Sequence, residues 1–229
     1  MEAPSPTTTP PPAPPRVVLF GDSQADSLEY TLVRDTGAFG YPVAFQRVGR
    51  IGCGIIGGYA DVGAGSGLNE NCERWRTELP AVVHDFDPDV VLVMIGAWEV
   101  YDTVVGDTRL VPGTPEYAAQ LSSQLRDAVA IASAGGAQVV LLDVACYPVP
   151  DLGVAGQDRV RAEAWRGHAV TDVIHSVADE LDLTVLPYHD LLCDGDEPRP
   201  LFDVVVRPDG VHFPQENDCL LYTSPSPRD

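Results

Sequence analysis

The sequence predicts an α/β fold, a parallel β-sheet covered by helices on both faces. Three observations carry this. Strand-like and helix-like segments alternate along the chain, and the stretches between strands are long enough for helical crossovers. The stretch DVVLVMIG, Asp89 to Gly96, is a continuous apolar run, as in a central parallel strand buried on both sides.

Element by element, Val17–Phe20 is the first strand, and Gln24–Val33 has the spacing of a helix that starts with no loop after it. Val43–Val48 is a second strand and Asp89–Gly96 the central one. The segment TPEYAAQLSSQLRDAVAIASAGG is a helix with Thr114 as N-cap and Pro115 as first residue. Leu121, Leu125, Ala128, Val129 and Ala132 line its inner face, and Gly135–Gly136 stops it. AQVVLLDVA is the next strand. Asp158–Leu181 reads as one long helix with Val170, Val173, Ile174, Val177 and Leu181 inward, and LTVLPY supplies the last strand.

The 229 residues suit one domain with appendages. Residues 1–15, MEAPSPTTTPPPAPP, are rich in Pro and Thr and read as a semi-rigid linker, or else as a tail. The domain is expected over 16–218. Residues 219–229, CLLYTSPSPRD, match the translation of a transposon adapter used in sequencing libraries, with a natural polar tail as the alternative. On the adapter reading the domain is C-terminally truncated, and the sheet near Val17 and Val18 should lack part of its cover.

Net charge is −20 and every basic residue is Arg; there is no Lys. That disfavours nucleic acid as a partner and excludes a P-loop or a Schiff-base lysine. Setting aside Cys219 leaves Cys53, Cys72, Cys146 and Cys193, an even number that fits two disulfides in an oxidising compartment, or four buried thiols. The expected pairs are Cys53–Cys72, around a Gly-rich loop, and Cys146–Cys193, both after late strands. No Cys/His spacing reads as a zinc motif, and no metal or organic cofactor is implied.

The chemistry-bearing residues lie at strand ends, where parallel sheets place ligands. Ser23 follows the first strand directly and opens a helix, so its side chain projects from the sheet edge while the helix dipole favours developing negative charge. A serine needs a base. His212, three residues after Asp209 in RPDGVHFP, is the candidate, with Asp209 orienting the imidazole. On this reading Asp209→Asn should be milder than loss of Ser23 or His212. Asp22 is expected to brace the turn, Glu99 and Asp102 to brace loops or face solvent, and Arg207 to form a surface salt bridge, with binding of an anionic group as the alternative.

GDS after the first strand and DGVH near the end resemble two blocks of the SGNH, or GDSL, hydrolases, in the same order and separation. The resemblance covers Val17 to about Pro214. It implies a flavodoxin-like three-layer α/β/α sandwich, with Ser23, Asp209 and His212 as the catalytic residues. It also implies an oxyanion hole from the backbone of Ser23 and of a glycine in IGCGI, Gly54 or alternatively Gly52. The family's third donor, Asn of Gly-x-Asn-Asp, is replaced in GAWE by Trp98, which becomes a candidate substrate contact.

GDSxADSL, GCG, GxWEVYD and DGVHF together are similar to the extracytoplasmic SGNH domains fused to multi-spanning membrane acyltransferases of actinobacteria. That similarity implies acyl transfer, acetyl in the simplest case, from an acyl donor to a glycan hydroxyl of the cell envelope. The partner would be a fused upstream membrane domain joined through the linker. The alternatives are a carbohydrate or lipid O-acyl esterase using water and a non-catalytic glycan-binding domain.

Overall fold

Five strands form one parallel sheet in a computed structural model that describes residues 12–36, 42–62, 72–149, 156–201 and 205–214. In chain order the elements are β1 (Arg16–Asp22), α1 (Ser23–Thr36), β2 (Ala44–Arg50), β3 (Tyr59–Ala60), α2 (Trp75–Phe86) and β4 (Val90–Met94). They continue with β5 (Thr103–Val105), β6 (Thr108–Leu110), α3 (Pro115–Ala132), β7 (Gln138–Leu142), α4 (Gly156–Arg161), α5 (Ala164–Leu181), β8 (Thr184–Leu186), α6 (Tyr188–Leu192), β9 (Cys193–Asp194) and β10 (Glu197–Pro198). The large sheet runs β2-β1-β4-β7-β8, all parallel. Counting only its own strands, that order is 2-1-3-4-5, the flavodoxin-like arrangement.

The two sheet faces carry separate cores. On one, Val18 and Phe20 pack with Trp75, Leu79 and Val83 of α2, Leu121 and Leu125 of α3, and Val170 and Ile174 of α5. On the other, Leu19, Met94 and Leu142 meet Ala25 of α1 and Tyr188 and Leu192 of α6. The result is three layers, α/β/α. The strands need no polar alternation because both faces are covered, which is why DVVLVMIG is continuously apolar.

The segment around α3 is as its sequence specifies. Thr114 is the N-cap and its Oγ1 accepts from the Tyr117 N–H at 3.3 Å, with Pro115 in the first turn. Other expectations need correction. The Asp158–Leu181 stretch is two helices, α4 and α5, separated at Ala162 and Glu163, where Glu163 is extended (φ −73°, ψ 93°). The break turns Arg161 inward: its Nε donates to the Ala97 carbonyl at 3.3 Å. Helix α2 carries Pro80 in its interior, a residue that normally ends helices, and this hides it from the sequence pattern.

That helix covers the Val18 side of β1, against the expected lack of cover there, while Val17, on the opposite face, is only partly buried. Val18 is fully buried, and Trp75 of α2 packs its ring 5.5 Å from Phe20 on the same face. The adapter-like residues 219–229 and most of the linker, residues 1–11, lie outside the described residues.

Both expected disulfides form, Cys53–Cys72 and Cys146–Cys193. They close segments of 19 and 47 residues. Loop-closure entropy alone assigns about 3 and 4 kcal/mol to them. Reduction with a phosphine is therefore expected to shift the urea midpoint strongly downward, with Cys146→Ala/Cys193→Ala costing at least as much as Cys53→Ala/Cys72→Ala. Equal midpoints with and without reductant would contradict this.

Candidate active site

The chain leaves β1 in one direction to reach β2 and returns on the other side of β1 to form β4. A crevice opens at such a switch point, outside the carboxyl ends of the two strands. Asp22 and Ser23 stand at the end of β1, and Gly96–Glu99 follow β4. Gly21 permits the close approach here: a Cβ on it would run into the Met94 carbonyl of β4. Glycine at this position lets the end of β1 lie close against β4.

Helix α1 then presents Ser23, Ser27 and Thr31 at four-residue intervals, one above another on the same face. Each holds part of the C-terminal segment. His212 Nε2 lies 2.7 Å from Ser23 Oγ, the Phe213 N–H donates to Ser27 Oγ at 3.1 Å, and Thr31 Oγ1 donates to the Pro214 carbonyl at 3.2 Å. At the other end of that segment Arg207 is buried, its Nη2 donating to the Cys146 carbonyl at 2.8 Å. Arg207 is thus an internal anchor of the loop, not a surface ion-pair partner. The loop is pinned on both sides of His212.

Asp209 completes the chain of contacts. Its Oδ2 is 2.6 Å from His212 Nδ1, and its Oδ1 accepts the backbone N–H groups of Val211 and His212 at 2.8 and 2.7 Å. Partial burial pushes this carboxyl up, but the hydrogen bonds from the His212 ring and the two backbone groups outweigh it and hold Asp209 well below the usual carboxylate range. An ionised carboxylate only accepts, so Nδ1 carries the proton and Nε2 is left to accept from Ser23 Oγ. This tautomer makes His212 a base toward Ser23. The three predicted residues Ser23, Asp209 and His212 are therefore brought together in one hydrogen-bonded line.

Two buried carboxyl groups tie the remaining blocks to that line. Asp22 Oδ1 accepts from the Gln24 N–H at 2.7 Å and its Oδ2 from the Ala97 N–H at 3.0 Å. Glu99 Oε1 accepts from the Ile55 N–H at 2.7 Å and Oε2 from the Gly96 N–H at 2.8 Å, while the Tyr117 hydroxyl donates to the Glu99 carbonyl at 2.5 Å. Asp22 and Glu99 are each 1 % exposed. Burial pushes Asp22 up to about 6 and Glu99, with the further repulsion of Asp22, up to about 7. The helix start, the turn after β4 and the loop after β2 are thus joined through Asp22 and Glu99.

Gly54 lies where these blocks meet. A Cβ there would come 2.5 Å from Glu99 Oε1 and 3.3 Å from Trp98 Cβ, so only glycine lets the loop settle on the turn. Gly52, the alternative, sits two residues earlier at φ +79°. Trp98 stands beside Gly54 but does not line the cleft that contains Ser23; its ring packs 5.6 Å from Tyr101, with the Arg161 guanidinium 5.8 Å away. The cleft itself has a volume of about 420 Å³ and is walled by Ser23, His212, Asp209, Ile51, Phe213 and prolines. Apolar walls beside a serine–histidine pair suit an acyl chain.

Sequence reasoning missed the weight carried by Glu99, which it left between bracing and solvation, and the docking roles of Ser27 and Thr31. The signal for the latter pair was present in the four-residue spacing from Ser23. Asp102, grouped with Glu99, is instead ion-paired to Arg166 and Arg109, which hold it below its ordinary value against the opposing effect of burial.

Comparison with known proteins bears on the fold and the family. Solved structures of similar fold include a GDSL-like lipase from Bacteroides thetaiotaomicron, 13% identical with a TM-score of 0.55 over 87% of this chain and 80% of that one. The periplasmic domain of a lipopolysaccharide acetyltransferase from Salmonella ser. Paratyphi A is 12% identical, with a TM-score of 0.53 over 84% of this chain and 73% of that one. The esterase EstA from Pseudoalteromonas sp. is 13% identical, with a TM-score of 0.51 over 87% and 88%. No curated protein matches the chain. At these identities the likeness is one of fold. The model of the family described as "SGNH domain (fused to AT3 domains)" matches residues 3–212. With that match over most of its length, the chain belongs to the SGNH domain family fused to AT3 domains.

Proposed function

We propose that this domain transfers an acyl group, acetyl in the simplest case, to a hydroxyl of a cell-envelope glycan through an ester on Ser23. The observation that carries the proposal is the line Ser23–His212–Asp209, at 2.7 and 2.6 Å, on the floor of an apolar cleft. The family's fusion to AT3 domains supports transfer and a membrane acyltransferase as the fused upstream partner. It supports an extracytoplasmic site as well, and the two disulfides fit an oxidising compartment. Residues 1–15 would link the two parts, with 16–218 as the domain.

The steps of this proposal combine the Ser23–His212–Asp209 line with the oxyanion donors that the family resemblance implies. His212 Nε2 takes the Ser23 proton as Oγ attacks the carbonyl carbon of the acyl donor. The backbone N–H groups of Ser23 and Gly54 receive the developing oxyanion. His212 returns the proton to the departing oxygen, which leaves Ser23 acylated. A sugar hydroxyl then enters, loses its proton to the same nitrogen and takes the acyl group, and Ser23 regains its proton. Asp209 holds the imidazole throughout. With Trp98 at the position of the third donor, the family's Asn, turnover should be slow with water; loss of one such donor corresponds to about 3 kcal/mol.

Water in place of the sugar gives the esterase reading, and the product distribution separates the two. The purified domain is supplied with an aryl acetate with and without a glycan rich in free hydroxyls. Acetylated glycan that increases with glycan concentration, at the expense of free acetate, supports transfer. Free acetate as sole product at every glycan concentration would leave the domain an esterase. Absence of both products would restore the non-catalytic glycan-binding reading.

A further inference from the structure

We propose that His168, His189 and Asp196 form a binding site for a single zinc-class divalent cation. They come from three elements: His168 from α5, His189 from α6, and Asp196 from the turn between β9 and β10. One potential ligand atom from each lies within 4.8 Å of the other two. His168 Nε2 is 2.8 Å from Asp196 Oδ1, and the two imidazole centroids are 6.2 Å apart. Donors about 2.0–2.1 Å from a tetrahedral zinc ion stand about 3.4 Å from one another. His168 and Asp196 are both about half exposed, so the small opening this requires meets little resistance.

A cavity of about 20 Å³ is lined by these three side chains together with Cys146, Tyr147 and Arg161. That is room for about one water or one ion. An ion pair between His168 and Asp196 would account for the 2.8 Å contact without a metal. It does not account for a second imidazole, that of His189, with a ring nitrogen within 4.8 Å of both partners beside a void of one-ion size, although His189 Nδ1 also lies 4.0 Å from Asp190 Oδ1. Arg161 lines the void too, but its guanidinium stacks on the rings of Trp98, Tyr101 and Tyr147 and its Nε donates to Ala97.

The scaffold is held in place before any ion arrives. Asp143 Oδ1 accepts the His189 N–H at 2.6 Å, fixing the start of α6 against the end of β7. The Cys146–Cys193 disulfide joins the residues beyond β7 to the strand that leads to Asp196. Two imidazoles and one carboxylate are a donor set that zinc accepts with water in the fourth position. None of the three residues lines the cleft of Ser23, so the site is separate from the acyl-transfer line. An ion here would brace α5, α6 and the β9–β10 turn together.

The test is a calorimetric titration of the full chain, free of any histidine tag, with zinc chloride, alongside thermal melts with and without zinc. One ion should bind per chain and raise the melting temperature. His168→Ala and Asp196→Ala should each weaken binding at least tenfold and abolish the rise, while melting like the unsubstituted chain in the absence of zinc. His84→Ala and His212→Ala should bind zinc as before. No saturable binding would overturn the proposal. So would binding that survives His168→Ala and Asp196→Ala, or that falls in His212→Ala, which would move the ion to the catalytic histidine.

Discussion

Ser23→Ala, His212→Ala and Asp209→Asn are each expected to reduce kcat/KM for an aryl acetate by about a thousandfold or more. For the first two the reason is direct, since one removes the nucleophile and the other the base hydrogen-bonded to it. The third contradicts the milder effect expected from the sequence, and geometry supplies the reason. Two backbone N–H groups point at Asp209 Oδ1, so in Asn the amide oxygen must take that place. The amide NH₂ then faces His212 Nδ1, which has to become an acceptor. The ring proton moves to Nε2, where it blocks removal of the Ser23 proton. Steady-state rates of the three variants, with circular dichroism to show that each is folded, check this. An Asp209→Asn variant within tenfold of the parent would mean that the imidazole does not depend on this carboxylate for its tautomer.

Glu99→Ala should damage stability and activity together. Glu99 accepts from Ile55 and Gly96 in a fully buried position, and its removal strands two N–H groups. Unmade buried hydrogen bonds cost about 1–3 kcal/mol each, so a loss of about 2–5 kcal/mol is expected. The loop carrying Gly54 is also freed from the turn after β4, and the rate should fall by about tenfold or more through kcat. The same residue sets a pH dependence. Asp22 at about 6 and Glu99 at about 7 are raised above their ordinary values of 3.8 and 4.5, so the folded chain binds more protons than the unfolded one from about pH 4 to about pH 7.

Stability should therefore be highest near pH 4–5 and decline as the pH rises to about 7. A shift of this size on one group corresponds to about 3 kcal/mol. Asp209 and Asp102 act in the opposite sense. Their lowered values contribute stability above about pH 4 that is lost as they protonate below it. Urea midpoints from pH 3.5 to 8 for the parent and Glu99→Ala test the assignment. The decline toward neutral pH should be shallower in the variant, and an identical slope would show that Glu99 is not the group responsible.

The legible parts of this molecule were those written in local chemistry. The continuous run of β4, the Thr114–Pro115 helix start, and Ser23 directly after a strand each state their own structure. Asp209 and His212 were legible because both lie in one tight loop. Buried polar bracing was not, since Glu99 looks like any surface glutamate until Ile55 and Gly96 are known to face it. The break between α4 and α5 falls at Ala162 and Glu163, residues that favour continuing a helix, and the contact it permits, from Arg161 to the Ala97 carbonyl, lies far away in sequence. The His168, His189 and Asp196 cluster spans three elements with no regular spacing, so the fold alone creates it.

The central claim is that Ser23 carries the acyl group. Rapid acid quench of the domain mixed with an activated acyl ester, followed by peptide mass spectrometry, measures this directly. The account predicts an added acyl mass on the peptide containing Ser23, absent in Ser23→Ala and chased off by a hydroxyl acceptor only when His212 is present. Turnover that continues with no acyl group on Ser23, or with the label on another residue, would contradict it.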